Sequence, residues 1–272
     1  MGVKKRAGRV PWTGRSYGNP LRNTLTISLI LLSLALVSVF VVGASGAWNR
    51  DWRTASRESA GIAPDPARTP EAVVQLYAAR AFNWRGIFGV HTWIATKEPG
   101  AQAYVVYQVV GWRLYRGLPV VVVREDVPDR LWFDSRPLIM ADLRGPAAER
   151  AIPEIRQAAD SYPYPGSYRL WPGPNSNTFT AYVARRVPGL KAALPSNAMG
   201  KDFLEKGAFL ARTPSRTGWQ VSLYGVLGVA VGLEEGLEIN VLGLIFGVDV
   251  ARPALKLPFV ARIGLGRNLP EG

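Results

Sequence analysis

The chain has no cysteine and only one histidine, His91, among its 272 residues. Without cysteine it can build neither a disulfide framework nor a thiolate nucleophile or metal site. A single imidazole also rules out a zinc centre made from several histidines, so no metal and no cofactor is expected. Acidic residues are missing from the start of the sequence, where none precedes Asp51. Charge of either sign is missing from Leu25 to Gly43. No phosphate-cradling glycine motif follows a strand and opens a helix, and no internal repeat is visible.

What is present begins with that uncharged run. Its nineteen residues would span roughly 28 Å as a helix, close to the thickness of a bilayer's hydrocarbon core. Lys4, Lys5, Arg6, Arg9, Arg15 and Arg22 precede it with no acidic residue among them, whereas Arg50, Arg53 and Arg57 beyond it are mixed with Asp51 and Glu58. The positive-inside rule then keeps residues 1–24 cytoplasmic, places a transmembrane helix at 25–43 and exports the remainder, to the periplasm in a Gram-negative cell. Trp48 and Trp52 follow the run, where an interfacial aromatic belt belongs. Ala44-Ser45-Gly46-Ala47 would also suit cleavage of a signal peptide, although the long polar leader favours a retained anchor. Of the net charge of +13, six positive charges lie in the leader. The rest is scattered without a basic run, so nucleic acid is not an expected partner; the lipid bilayer is, through residues 25–43.

Residues 44–68, rich in Ser, Ala, Pro and Arg, read as a tether, and 69–266 as one exported α+β domain with a short tail at 267–272. Thr69, Pro70 and Glu71 look like a helix start, with Val73, Val74, Leu76, Tyr77 and Ala81 as its apolar face. Strands are expected at Gly89–Lys97, Ala103–Arg113, Pro119–Glu125 and Leu131–Pro137, the third so rich in valine that it should be covered on both faces. Ala147–Tyr162 and Ser176–Val187 have helical spacing, separated by a rigid connection from Pro163 to Pro174. The glycine-rich end reads as three antiparallel strands bent at their glycines, Trp219–Val231, Leu237–Val250 and Leu255–Ile263, with a hairpin at Gly232–Gly236.

The segment Trp171-Pro-Gly-Pro-Asn-Ser-Asn-Thr-Phe179 locks a turn that delivers Ser176 to a helix start. Many hydrolases present a nucleophile this way. A serine hydroxyl is too weakly acidic for a helix dipole to ionise, so attack needs a base, and His91 is the one imidazole available. The same serine could instead be only the helix N-cap, and His91 only a hydrogen-bonded interior residue. Trp171, Tyr162, Tyr164 and Tyr168 could line a cleft or simply pack in the core. Asp126, Asp129 and Asp134 follow no known calcium-loop spacing and read as turn and surface residues. Glu234, Glu235 and Glu238 could pair as acid and base, but their glycine-flanked position favours a solvated turn.

A histidine strand followed by a helix headed by a nucleophile resembles the circularly permuted papain-like fold of the lecithin:retinol acyltransferase group and certain envelope hydrolases. The match rests on element order and on the turn Asn175-Ser176-Asn177, where those proteins carry cysteine. The chain is more closely similar to a proteobacterial membrane-anchored family known as domain of unknown function number 3750. That likeness is carried by His91-Thr92-Trp93-Ile94, by Trp171 to Phe179, by Leu194-Pro195-Ser196-Asn197-Ala198 and by Gly236-Leu237-Glu238-Ile239-Asn240. The papain-like pattern implies that a residue on the strand after His91 orients the imidazole, Gln108 first and Tyr107 second. Backbone N–H groups at Ser176 and Asn177, helped by the Asn175 amide, would hold an oxyanion. The expectation is therefore a membrane-anchored Ser/His hydrolase or acyltransferase acting on an amide or ester of a lipid, lipoprotein or cell-wall substrate. Its rival is a catalytically silent papain-like scaffold of the envelope. A third possibility is lipid contact through the glycine-rich strands, which requires a contiguous exposed apolar patch.

Overall fold

The computed structural model describes residues 51–265, together with 19, 21–26, 29, 33 and 40. The expected membrane span at 25–43 thus lies largely outside the described residues; among the described residues, no helix is long and apolar enough to cross a membrane. The described chain is α+β and is organised around two antiparallel sheets.

The first sheet has five strands: β1 (Val73–Arg80), β2 (Val90–Lys97), β3 (Val105–Val109), β4 (Val121–Glu125) and β5 (Leu138–Arg144), in the order β4-β3-β2-β1-β5. β1 replaces the helix expected from Thr69 onward. It is flanked by β2 and β5, and seven of its eight residues are buried. A central strand covered on both faces shows a continuous apolar run, and Val73, Val74, Leu76 and Tyr77 imitate helical spacing. β4 corrects a second expectation: it is the edge strand and mostly exposed along its second half, so its valines are not covered on both sides. The strand expected at Leu131–Pro137 is a turn closed by the Trp132–Ser135 bridge, with β5 beginning one residue later.

Two helices cover one face of this sheet. Helix α1 (Gly145–Asp160) buries Ala148, Ala151, Ile152, Ile155 and Ala158, and α2 (Ser176–Arg186) buries every residue from Ser176 to Ala184. Val74, Leu76, Ile94, Tyr107 and Val109 point up into the same cluster as Phe179 and Val183. The alternate residues Val73, Tyr77, Ala79, Trp93, Ala95 and Val106 form a second cluster below the sheet with Trp132. That lower face is roofed by the segment read as a tether. Ser56 N–H donates to Asp134 Oδ1 at 2.7 Å, and Asp129 accepts from Ser59 Oγ at 2.7 Å, Ile62 N at 2.6 Å and Ala63 N at 3.0 Å. Asp129 is buried, not a surface turn residue.

The second sheet is a meander of seven strands in simple hairpin order: β6 (Leu210–Arg212), β7 (Gly218–Leu223), β8 (Leu227–Gly232), β9 (Gly236–Val241), β10 (Leu244–Asp249), β11 (Ala254–Leu257) and β12 (Ala261–Gly264). Each of the three long bent strands expected here is a hairpin. Tyr224-Gly225 and Leu242-Gly243 have positive φ at both residues, the signature of a type I′ turn, so these glycines reverse the chain where a bend was expected. The hairpin at Gly232–Gly236 is where the sequence places it.

Candidate functional site

Ser176 opens α2, but the cap is Asn175, one residue earlier. Asn175 Oδ1 accepts from Asn177 N at 2.9 Å and Thr178 N at 3.1 Å, while Thr178 Oγ1 accepts from Asn175 N at 3.1 Å. This is a complete capping box, which satisfies donors that a helix start otherwise leaves orphaned. Ser176 occupies the first helical position and is buried, and its hydroxyl makes no hydrogen bond among the described residues.

Two of the three groups expected to hold an oxyanion are committed elsewhere. The Asn177 N–H is taken by Asn175, whose own amide nitrogen donates to Leu170 O and Met199 O, both at 3.0 Å. The close approach of Gly200 is part of this packing. Its φ is +93°, and a Cβ there would lie 2.4 Å from Asn175 Nδ2.

The strand carrying His91 does reach α2, but through its neighbour. Thr92 Oγ1 donates to Asn177 Oδ1 at 3.0 Å and to Ser176 O at 3.4 Å, and Asn177 Nδ2 returns to Val90 O at 3.0 Å. Successive side chains on a strand point to opposite faces. With Thr92 facing the helix, His91 faces the lower side of the sheet.

There its ring lies 3.6 Å from that of Trp132 at an interplanar angle of 13°, and Nε2 is 3.2 Å from Gln108 Oε1. The structure therefore brings His91 and Gln108 together, as the papain-like resemblance implied, and sets Ser176 apart from both. Burial pushes the His91 imidazole down to about 3, with the Gln108 contact opposing only in part. A neutral ring under an indole is poorly placed to take a proton from anything outside.

Two small hollows lie among the described residues. The one bordered by Gln108, Trp93 and Trp132 has no room for a water molecule, and the one beneath Asp202, Gln220, Glu238 and Asn240 offers about 10 Å³. Among the aromatic candidates, Tyr162 is buried against Phe179 and Tyr182, and Tyr164 and Tyr168 pack at the edge of the core. Trp171 is exposed and donates from Nε1 to Leu242 O at 2.9 Å.

The strongest concentration of charge was not foreseen. Along the inner face of the second sheet, Glu238 receives Lys256 Nζ at 2.7 Å and also Lys201 Nζ, with all three side chains buried. Burial works against the Glu238 charge, but the two ammonium groups outweigh it and hold this carboxyl below the usual carboxylate range. Glu235 is buried as well, accepting from Ser215 N at 2.9 Å and Ser215 Oγ at 2.6 Å. Only Glu234 is the surface turn residue expected, and it pairs with Arg252. Asp202 is pushed above its ordinary range by burial and accepts from Asn240 Nδ2 at 2.8 Å. These groups are bonded to one another and to the backbone. No cluster of three or more His, Cys, Asp or Glu suited to a metal ion occurs among the described residues.

The described residues form a two-sheet α+β domain in which these buried polar groups tie loops, helix and strands within each layer. Residues 71–203, from the approach to β1 to the segment just after Asp202, match the model of a family described as a protein of unknown function (DUF3750). No curated protein and no solved structure matches the chain.

Proposed function

We propose that this chain is a membrane-tethered scaffolding or binding domain of the cell envelope, without hydrolytic chemistry of its own. One observation carries this reading. Thr92 takes the helix-facing position on β2, which puts His91 on the opposite side of the sheet from Ser176. A serine hydroxyl with no base in reach stays protonated during any encounter with an acyl group. On this reading the likeness to the permuted papain-like fold extends to the order of its elements and stops short of its chemistry.

The tether is supported by the uncharged run at 25–43 and by the basic residues before it, which together favour a cytoplasmic N-terminus and an exported domain. Envelope lipids, lipoproteins and cell-wall components then become candidate ligands in place of substrates.

The test is acylation by a fluorophosphonate probe. The wild-type chain and Ser176→Ala should show the same background. Labelling that is present in the wild type and lost in Ser176→Ala would restore the hydrolase. The anchor is tested separately by fractionation: the full chain should stay with membranes after an alkaline wash, and a chain lacking residues 25–43 should not.

A further inference from the structure

The second sheet is built inside out. Its inner face carries, in register across the strands, Gln220, Ala230, Glu238, Gly247, Lys256 and Arg262. Its outer face carries Trp219, Val231, Leu237, Val248, Leu255 and Ile263 in one cross-strand row, and Leu210, Val221, Val229, Ile239 and Phe246 in the next. Val229 and Ile239, on adjacent central strands, are each 45% exposed, and Val231 is 56% exposed. Arg212, at the β6 edge and stacked over Trp219 at 4.0 Å, is the one charged side chain in these two rows. A continuous aliphatic face of this extent is far larger than the scattered apolar residues normal on a monomer's surface.

We propose that this outer face is covered by the same face of a second copy of the chain, the two sheets closing into a sandwich with an aliphatic core. The inference deepens the reading of the chain as a scaffold by naming its partner. Size supports it. Seven strands of up to six residues give a face of roughly 600 Å² at the usual strand spacing and rise. Two copies would then withdraw roughly 1,200 Å² or more, which reaches the range of stable specific interfaces. Shape supports it too, because two aliphatic sheet faces interdigitate at about 10 Å separation.

Lipid is the competing occupant, since exposed Phe209, just before β6, and Tyr224, in the β7–β8 turn, sit beside the face where interfacial aromatics would. The two rows themselves hold no lysine, and Trp219 and Phe246 are their aromatic members. Association through the sheet edges is disfavoured. The edge strands β6 and β12 have three and four residues and carry Arg212 and Arg262, the devices that blunt edge pairing.

The native chain has no cysteine, so a single introduced thiol reports proximity without interference. Ile239 sits mid-strand on β9, the middle strand of the seven. In the full chain held in lipid nanodiscs, Ile239→Cys under mild oxidation should give a disulfide-linked dimer. Arg150→Cys, exposed on α1, should not. Val229→Glu combined with Ile239→Glu should weaken association by about tenfold or more while the circular dichroism spectrum stays native, because both side chains face outward from the single chain; melting should fall only by the share that the partner contributes and lose its dependence on protein concentration.

Absence of the Ile239→Cys cross-link overturns the proposal, as does an equal cross-link from Arg150→Cys. A dimer indifferent to the two glutamates also overturns it, by assigning association to residues outside the sheet. A fluorophore attached to the thiol of the Ile239→Cys variant and quenched by brominated acyl chains assigns the face to lipid instead. None of these readouts depends on Ser176, so the fluorophosphonate result stands or falls independently.

Discussion

The two sheets solve opposite problems with the same strand geometry. The five-stranded sheet is mainly apolar on both faces, with Gln75, His91 and Gln108 buried among the lower side chains, and is capped above by two helices and below by the segment that precedes it. The seven-stranded sheet keeps its polar side chains on the covered face and its aliphatic ones in the open. In the first, burial of apolar area supplies the stability and polar groups such as Asp129 pin down loops. In the second, the protein interior is held by ions and hydrogen bonds, which stabilise only while every partner is present. The comparison shows that strand alternation alone does not say which side of a sheet is inside.

Breaking the ionic layer should have the largest effect. Glu238→Gln leaves Lys201 and Lys256 buried without their carboxylate, and a loss of about 3–5 kcal/mol is expected in denaturant unfolding. A loss below about 1 kcal/mol would mean that water reaches this layer.

The first sheet can be probed through pH. His91 is neutral in the fold, with its imidazole pushed down to about 3, whereas in the unfolded chain it takes up a proton near 6.5. The unfolded state therefore binds more protons between those values, so stability falls as pH drops through that window, by up to roughly 1.4 kcal/mol per unit. His91→Gln should flatten this part of the profile by roughly 2–3 kcal/mol between pH 6.5 and pH 4.5. An unchanged slope would show the ring to be solvated.

The smallest effect is expected on the open face. Val231→Thr, added to the two-glutamate chain at concentrations where that chain is monomeric, should shift unfolding by no more than about 0.5 kcal/mol. A larger loss would mean that the face is covered within a single chain.

Much of the first sheet's surroundings was legible. β2, both helices and the rigid connection before Asn175 follow from periodicity and turn residues, whereas the contact of His91 with Gln108 was implied only by the papain-like resemblance, which left Tyr107 as a second choice. β1 was not legible because a strand buried on both sides loses its alternation. The Ser176–His91 pairing failed for a related reason. Period two fixes that residues 91 and 92 face opposite ways, but nothing local says which of them meets the helix. Leu-Glu-Ile-Asn-Val in β9 shows clear alternation, yet the same string serves a sheet with polar side chains turned outward. The partner that decides the matter, Lys201, lies 37 residues from Glu238 in the chain. Asn197, in a stretch the family likeness drew attention to, has both amide atoms buried without a partner; nothing in the structure explains that.

The Lys201–Glu238 contact also bears on where the domain ends. The family match closes at residue 203, just short of the 3-10 turn at Glu205–Gly207 that leads toward β6. Lys201 and Asp202 lie inside the match, while Glu238, Asn240 and Lys256 lie beyond it. A polypeptide stopped at that border would keep one half of a buried ion pair and discard the other. The smallest piece able to melt as a single cooperative body therefore runs on through β12, and a border drawn by sequence likeness cuts across a physical unit.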